Sequence, residues 1–193
     1  MSILELIKKR RSVRKFKPEL IAETELEQII EAGRRAPSGH NEQRNHLVVI
    51  QKPELLEELQ RKIIECFAAM PEPASKDDPF YTPITKSKAN AYPCMYKAPT
   101  FIIVANKRGA GNAMADSSLA MENMMLMAAE LGIGTCWINQ IRWLQDDPAM
   151  IEYLTLLGIP AAEVVCASLA LGYTEQPQLP PVELKGNRVD YLR

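Results

Sequence analysis

Hydrophobic residues recur along the amino-acid sequence at two spacings, and their alternation sets out the elements. Ser2-Ile3-Leu4-Glu5 is a capping-box pattern with Leu4 and Ile7 following at helical spacing, which predicts a short helix ending near Arg10. A second box, Thr24-Glu25-Leu26-Glu27, predicts a helix that carries Leu26, Ile29, Ile30 and Gly33 on one side and stops before Pro37. His46-Leu47-Val48-Val49-Ile50 is short, apolar and rich in β-branched residues, the signature of a buried strand. Pro53 suits the first position of a further helix, with Leu55, Leu56, Leu59 and Ile63 periodic behind it.

Residues 68–99 break this rhythm. Pro71, Pro73, Pro79, Pro83, Pro93 and Pro99 punctuate the stretch and no periodicity is sustained, so it reads as a lid, a binding surface or an unstructured segment. Beyond it, residues 100–105 predict a buried strand and Met114–Leu131 a long helix, apolar around most of its circumference and therefore buried on most sides. Five of the nine methionines lie in that helix, where flexible side chains fill irregular gaps. Gly132 and Gly134 end it, residues 135–138 are extended, Asp147-Pro148 starts another helix, and Glu163–Leu171 is a β-like run broken by Gly172. Residues 174–193 have no core pattern and read as an extended arm lying across another surface. Helices and strands alternate irregularly, which predicts an α+β fold with a small sheet flanked by helices.

Composition narrows the class. A chain of 193 residues with 47% hydrophobic content is one ordinary domain, 1–193, able to bury a continuous core. A net charge of −1 gives no general field for nucleic acid, so the basic cluster from Lys8 to Lys17 needs a local purpose. Cys66, Cys94, Cys136 and Cys166 are scattered and only His40 and His46 supply imidazoles, which argues for reduced thiols and against a metal site. No apolar run reaches membrane-spanning length and the N-terminus lacks the order of a secretory signal, so a cytoplasmic protein without a membrane partner is expected.

Three segments could carry chemistry. Arg10, Arg11, Ser12 and Arg14, at a helix end, offer guanidinium and hydroxyl donors that can converge on one phosphate; the same run also reads as solvated surface charge. The loop from Ala36 to Gln43 presents small side chains and amides suited to the edge of a polar heterocycle, or is a plain helix-stop turn. Trp137 at a strand end could pack on a cofactor ring or simply in the core, and Cys136 beside it lacks a partner that would make it a nucleophile. Gly109-Ala110-Gly111 fails as a dinucleotide fingerprint, because Met114 stands where a third glycine would permit close helix–strand approach.

Taken in order, these segments resemble the nitroreductase family of FMN-dependent oxidoreductases. Arg10-Arg11-Ser12-Val13-Arg14-Lys15-Phe16 is similar to its opening R-R-S-x-R-x-F, and Ala36–Gln43 to its A-P-S-x-x-N-x-Q loop. Leu131–Ile138 is similar to L-G-L-G-T-C-W-I, and Leu171-Gly172-Tyr173 to its closing L-G-Y.

The resemblance implies a nitroreductase-like α+β fold with a mainly antiparallel sheet, in an intertwined homodimer holding two FMN molecules at its interface. Arg10 and Ser12 would hold the phosphate and ribityl end, Arg11 would also contact the cofactor, and Arg14 would face the pyrimidine edge and tune the reduced flavin. Pro37, Ser38, Gly39 and Asn41 would contact the cofactor, partly from the partner subunit, while Cys136, Trp137, Ile138 and Asn139 would line the ring. A basic residue near the C-terminus would reach the phosphate, with Arg188 preferred over Lys185. No side chain would act as catalyst: NADH or NADPH would reduce the flavin, and a nitroaromatic, quinone or enone would reoxidise it by a ping-pong mechanism. The alternative is a flavin-binding protein for storage or regulation without turnover. The chain departs from the family at Arg44-Asn45, where P-W is common, which leaves the packing below the loop open.

Overall fold

The computed structural model describes residues 2–176 and 180–193. Helix α1 (Ile3–Lys9) opens on the predicted capping box: Ser2 Oγ accepts from Glu5 N–H and the Glu5 carboxylate accepts from Ser2 N–H. The second predicted box does not form. Helix α2 (Glu23–Arg34) starts one residue before Thr24, with Ala22 at the cap. The Tyr173 hydroxyl takes over there, accepting from Ala22 N–H at 3.2 Å and donating to the Glu25 carboxylate. A tertiary contact thus replaces a local cap.

Strand β1 (His46–Ile50) has the predicted bounds but is an edge strand with only Ile50 buried, so its apolar run reflects one covered face. Helix α3 (Pro53–Ala69) begins at its proline as expected. The stretch read as irregular contains helix α4 (Tyr81–Lys88). Pro83 is its third residue, where a backbone N–H would have no helical partner, so proline costs little there. Strand β2 (Thr100–Lys107) leads into helix α5 (Ala113–Glu130), followed by β3 (Gly134–Ile138), α6 (Gln140–Trp143), α7 (Pro148–Leu156) and β4 (Glu163–Gly172). Gly132 closes α5 in the left-handed region, at φ 75, which glycine adopts without steric cost. Its N–H bonds Ala129 C=O and the next N–H, of Ile133, bonds Ala128 C=O, which turns the chain directly into β3.

The four strands form one antiparallel sheet in the order β1-β2-β4-β3. Period-two alternation sends β2 side chains to two cores. Phe101, Ile103 and Ala105 join Leu59, Ile63, Phe67 and Leu154 beneath α3 and α7. Ile102 and Val104 join Ile29, Met121 and Met124 beneath α2 and α5. Gly33 lets α2 and α5 approach closely, since an added Cβ would lie 2.7 Å from Met124 Cγ. Much of the apolar circumference of α5 is therefore used within this chain. No helix among the described residues is long and apolar enough to cross a membrane. Residues 180–193 are exposed and carry no helix or strand.

Candidate functional site

The segment after α1 docks as an extra strand-like piece against β3. Ser12 forms a parallel bridge with Thr135, and Val13 N–H donates to Thr135 C=O at 2.8 Å. Gly134 makes the approach possible, because a Cβ there would sit 2.8 Å from Val13 Cγ1 and 2.9 Å from its Cβ. On its other side the segment is tied to the chain leaving β4: Lys17 N–H donates to Tyr173 C=O at 2.8 Å and Thr174 Oγ1 to Lys15 C=O at 2.7 Å. This double anchorage holds an arginine-rich loop in one place.

A cavity of about 680 Å³ opens beside it, lined by Ser12, Arg14, Lys15, Phe16, Lys17 and Tyr96 together with Glu175 and Gln176. The Arg14 guanidinium lies 5.9 Å from the centre of the Tyr96 ring. Lys17 pairs with Glu175 at 3.1 Å. Arg10 reaches Glu122 of α5, Nε to Oε1 3.2 Å, yet that buried Nε has no hydrogen bond of acceptable geometry. Arg11 donates to Pro180 C=O at 2.5 Å.

On β3, Cys136 is buried and its thiol is pushed above its ordinary range by that burial, against a weaker downward pull from the Arg14 charge. It is thus an inert thiol rather than a nucleophile. The Trp137 indole N–H donates to Asn139 Oδ1 at 2.7 Å, which fixes the half-buried ring at the strand end. Ile138 is buried in the core beneath α3.

The predicted loop lies apart from that cavity, ahead of β1 at the opposite edge of the sheet. Pro37 and Ser38 lead into a single 3₁₀ turn, Gly39–Asn41, and His40, Asn41 and Gln43 all have left-handed φ values of 50 to 54. Such conformations persist where surroundings enforce them. Here the enforcement comes from a buried polar network. Asp116 of α5, only 7% exposed, accepts from Gly39 N–H at 3.0 Å. Asn45 donates to the Asp116 carbonyl at 3.1 Å and accepts from Asn106 at 2.9 Å and Ser117 at 2.8 Å. Ser38 Oγ accepts from Gln43 N–H at 2.9 Å, and Gln43 Nε2 donates to Asn41 Oδ1 at 2.9 Å. The Arg44-Asn45 departure is thereby explained: Asn45 is the junction beneath the loop.

Both clusters dock on α5, at Asp116 and Glu122, six positions or ~9 Å apart along the helix axis. Lys185 and Arg188 lie far out on the exposed tail, and Arg188 is bound to Asp190 at 2.9 Å. Within the described residues of one chain, neither Lys185, Arg188 nor residues 37–41 line the cavity. Tyr96, Asp116 and Asn45 were not legible as site residues. Tyr96 sits in the stretch without periodicity, and the other two become neighbours only through tertiary packing. The described residues contain no group of three or more His, Cys, Asp or Glu side chains placed to hold a metal ion.

The chain is similar to known proteins over most of its length. A nitroreductase from Bacteroides fragilis, crystallised with bound FMN, superposes with a TM-score of 0.88 at 36% identity over 100% of both chains. A nitroreductase from Desulfitobacterium hafniense, also with bound FMN, gives a TM-score of 0.83 at 26% identity, again over 100% of both chains. A curated relative from Archaeoglobus fulgidus, provisionally named NADH dehydrogenase/NAD(P)H nitroreductase, is 31% identical over 88% of this chain and 84% of its own length. The model of the nitroreductase family matches residues 7–173, and the chain belongs to that family.

Proposed function

We propose that this protein is an FMN-dependent oxidoreductase that moves a hydride from NADH or NADPH to a small electrophilic acceptor such as a nitroaromatic, quinone or enone. The observation carrying the proposal is the cation-lined cavity beside the pinned Ser12–Lys17 segment. Its volume, about 680 Å³, lies in the range of small-molecule sites. The residues fit a phosphorylated planar cofactor: the buried Arg10 Nε lacks a well-aligned acceptor, and Ser12, Arg14, Lys15 and Lys17 face one space. When bound, FMN supplies hydride acceptance and delivery at one ring face, which accounts for a ping-pong sequence in which donor and acceptor use the same cavity in turn.

The chain's own residues bind and tune. Arg10, Arg11 and Ser12 hold the phosphate and ribityl end by charge-assisted hydrogen bonds. Arg14 places positive charge at the pyrimidine edge, where negative charge develops on reduction. The end of β3, with Cys136, Trp137, Ile138 and Asn139, backs the ring. The loop carrying Pro37, Ser38, Gly39 and Asn41 belongs to the site of a second copy in a homodimer. Three features support this: its separation from the cavity within one chain, an α1 without buried residues and with Ile3 75% exposed, and an exposed tail carrying Val182, Leu184, Tyr191 and Leu192. The tail's basic residues, Arg188 or Lys185, then reach the partner's cofactor.

The test is an absorbance spectrum of the purified protein with FMN, followed by anaerobic NADH or NADPH. A yellow protein that bleaches is expected. Failure to take up FMN refutes the proposal, and uptake without bleaching supports storage instead. Arg10→Ala should weaken FMN binding about tenfold or more, since a hydrogen bond to a charged group contributes about 1.5–3 kcal/mol.

A further inference from the structure

The loop that brings Tyr96 to the cavity is built with unusual care. Cys94 and Met95 are buried at 2% and 3% exposure and anchor it to the core beneath α3. Gln60 of α3 clamps its backbone, donating to Tyr92 C=O at 2.7 Å and accepting from Met95 N–H at 3.3 Å. The Tyr92 ring stands edge-on to Phe67 with centroids 6.1 Å apart, and its hydroxyl accepts from Gln140 at 2.5 Å. Immediately beyond these anchors, Tyr96 and Lys97 both take left-handed φ values, 55 and 54. Residues with a Cβ adopt that conformation at a cost, and it persists only where neighbours dictate it. Its effect is to turn the half-buried Tyr96 ring onto the cavity wall beside Arg14.

The partner chosen for Arg14 differs from those of its neighbours. Arg10 and Lys17 face carboxylates, and Arg11 faces a carbonyl. Among the described residues no carboxylate forms an ion pair with Arg14, and its side chain meets an aromatic face instead. A carboxylate orients a guanidinium but cancels its field. An aromatic face orients it through the ring quadrupole and leaves the net charge intact. We infer that Tyr96 is a positioning residue, whose ring holds the Arg14 guanidinium over the cavity with its charge available to an anionic group there. This rests on the reading of Arg14 as the cation at the FMN pyrimidine edge.

The test uses the full chain with Tyr96→Asn and Tyr96→Phe, each alone and combined with Arg14→Ala. Asparagine tolerates the left-handed region, so Tyr96→Asn removes the ring while sparing the turn. In the FMN-free protein, NMR of the Arg14 Nε–Hε pair should show a ring-current shift that Tyr96→Asn abolishes and Tyr96→Phe keeps. In the FMN-loaded protein, Tyr96→Asn should slow anaerobic bleaching by NADH or NADPH about two- to thirtyfold, the range expected for a cation–π contact. Tyr96→Phe should restore the rate, and Tyr96→Asn should add nothing once Arg14 is alanine. An unmoved Arg14 resonance, a normal rate in Tyr96→Asn, or losses that multiply with Arg14→Ala would each overturn the inference. Failure of the wild-type chain to take up FMN would instead overturn the cofactor reading, and the Arg14 resonance would still report whether the contact exists.

Discussion

Replacing Gly134 by alanine tests whether the docking of residues 12–14 on β3 creates the site. The new Cβ would meet Val13 at 2.8 Å (Cγ1), 2.9 Å (Cβ) and 3.1 Å (Cγ2), against 3.4–4 Å for ordinary contact. Val13 cannot easily turn away, since a β-branched side chain is stiff at χ1 and its own N–H is bound to Thr135 at 2.8 Å. Overpacking of this kind costs about 1–3 kcal/mol. The cheapest relief is to lift the Ser12–Arg14 segment off the strand, so most of that cost should fall on cofactor binding. Since 1.4 kcal/mol is about tenfold in affinity, FMN should bind roughly five- to a hundredfold more weakly, as read by quenching of flavin fluorescence on titration. The rescue should be graded: Val13→Ala deletes the two Cγ contacts, and Val13→Gly deletes the third as well. Wild-type FMN affinity in Gly134→Ala, or a defect that neither Val13 substitution relieves, would refute the claim that this approach builds the site.

Two further predictions concern stability. Asp116→Ala strands the Gly39 N–H and should cost about 1–3 kcal/mol in urea unfolding, whereas Asp116→Asn keeps an acceptor oxygen and should recover most of it; equal losses would show that the carboxylate acts through its charge. Burial pushes the Cys66 and Cys94 thiols from 9.0 up to about 12, with the Asp147 carboxylate adding to the rise at Cys66. In the unfolded chain these thiols ionise first, so the unfolded state binds fewer protons and stability should fall as pH rises from about 9 toward 12. Urea unfolding across that window should show the decline, and Cys94→Ala should lessen it while the Cys66 share remains; a pH-independent stability would contradict the burial argument. Neither thiol should react with a disulfide reagent at pH 8 until the protein is unfolded.

How far the sequence could be read depended on whether each signal was local. The capping box at Ser2, the first-turn prolines of α3 and α7, and the glycine stop after α5 act through neighbours in the chain, and all appear where their residue types require. The box at Thr24 had the same local pattern but lost to a side chain from the far end of β4, because the Tyr173 hydroxyl satisfies Ala22 and Glu25 at once. Helix α4 was hidden because a proline is a breaker only beyond the first turn, and pattern alone does not show where that turn begins.

The sequence by itself determined the α+β class and the identity of the basic segment, since these follow from period and residue type, whereas the antiparallel sheet was only implied by the family resemblance. The tertiary structure decided which residues share a cavity. Ser12 meets Thr135 across more than a hundred positions, Tyr96 reaches Arg14 from a stretch without periodicity, and Asn45 and Asp116 join only where the loop lands on α5. Contacts of that kind depend on how strands register and helices dock, and a one-dimensional pattern carries no term for either.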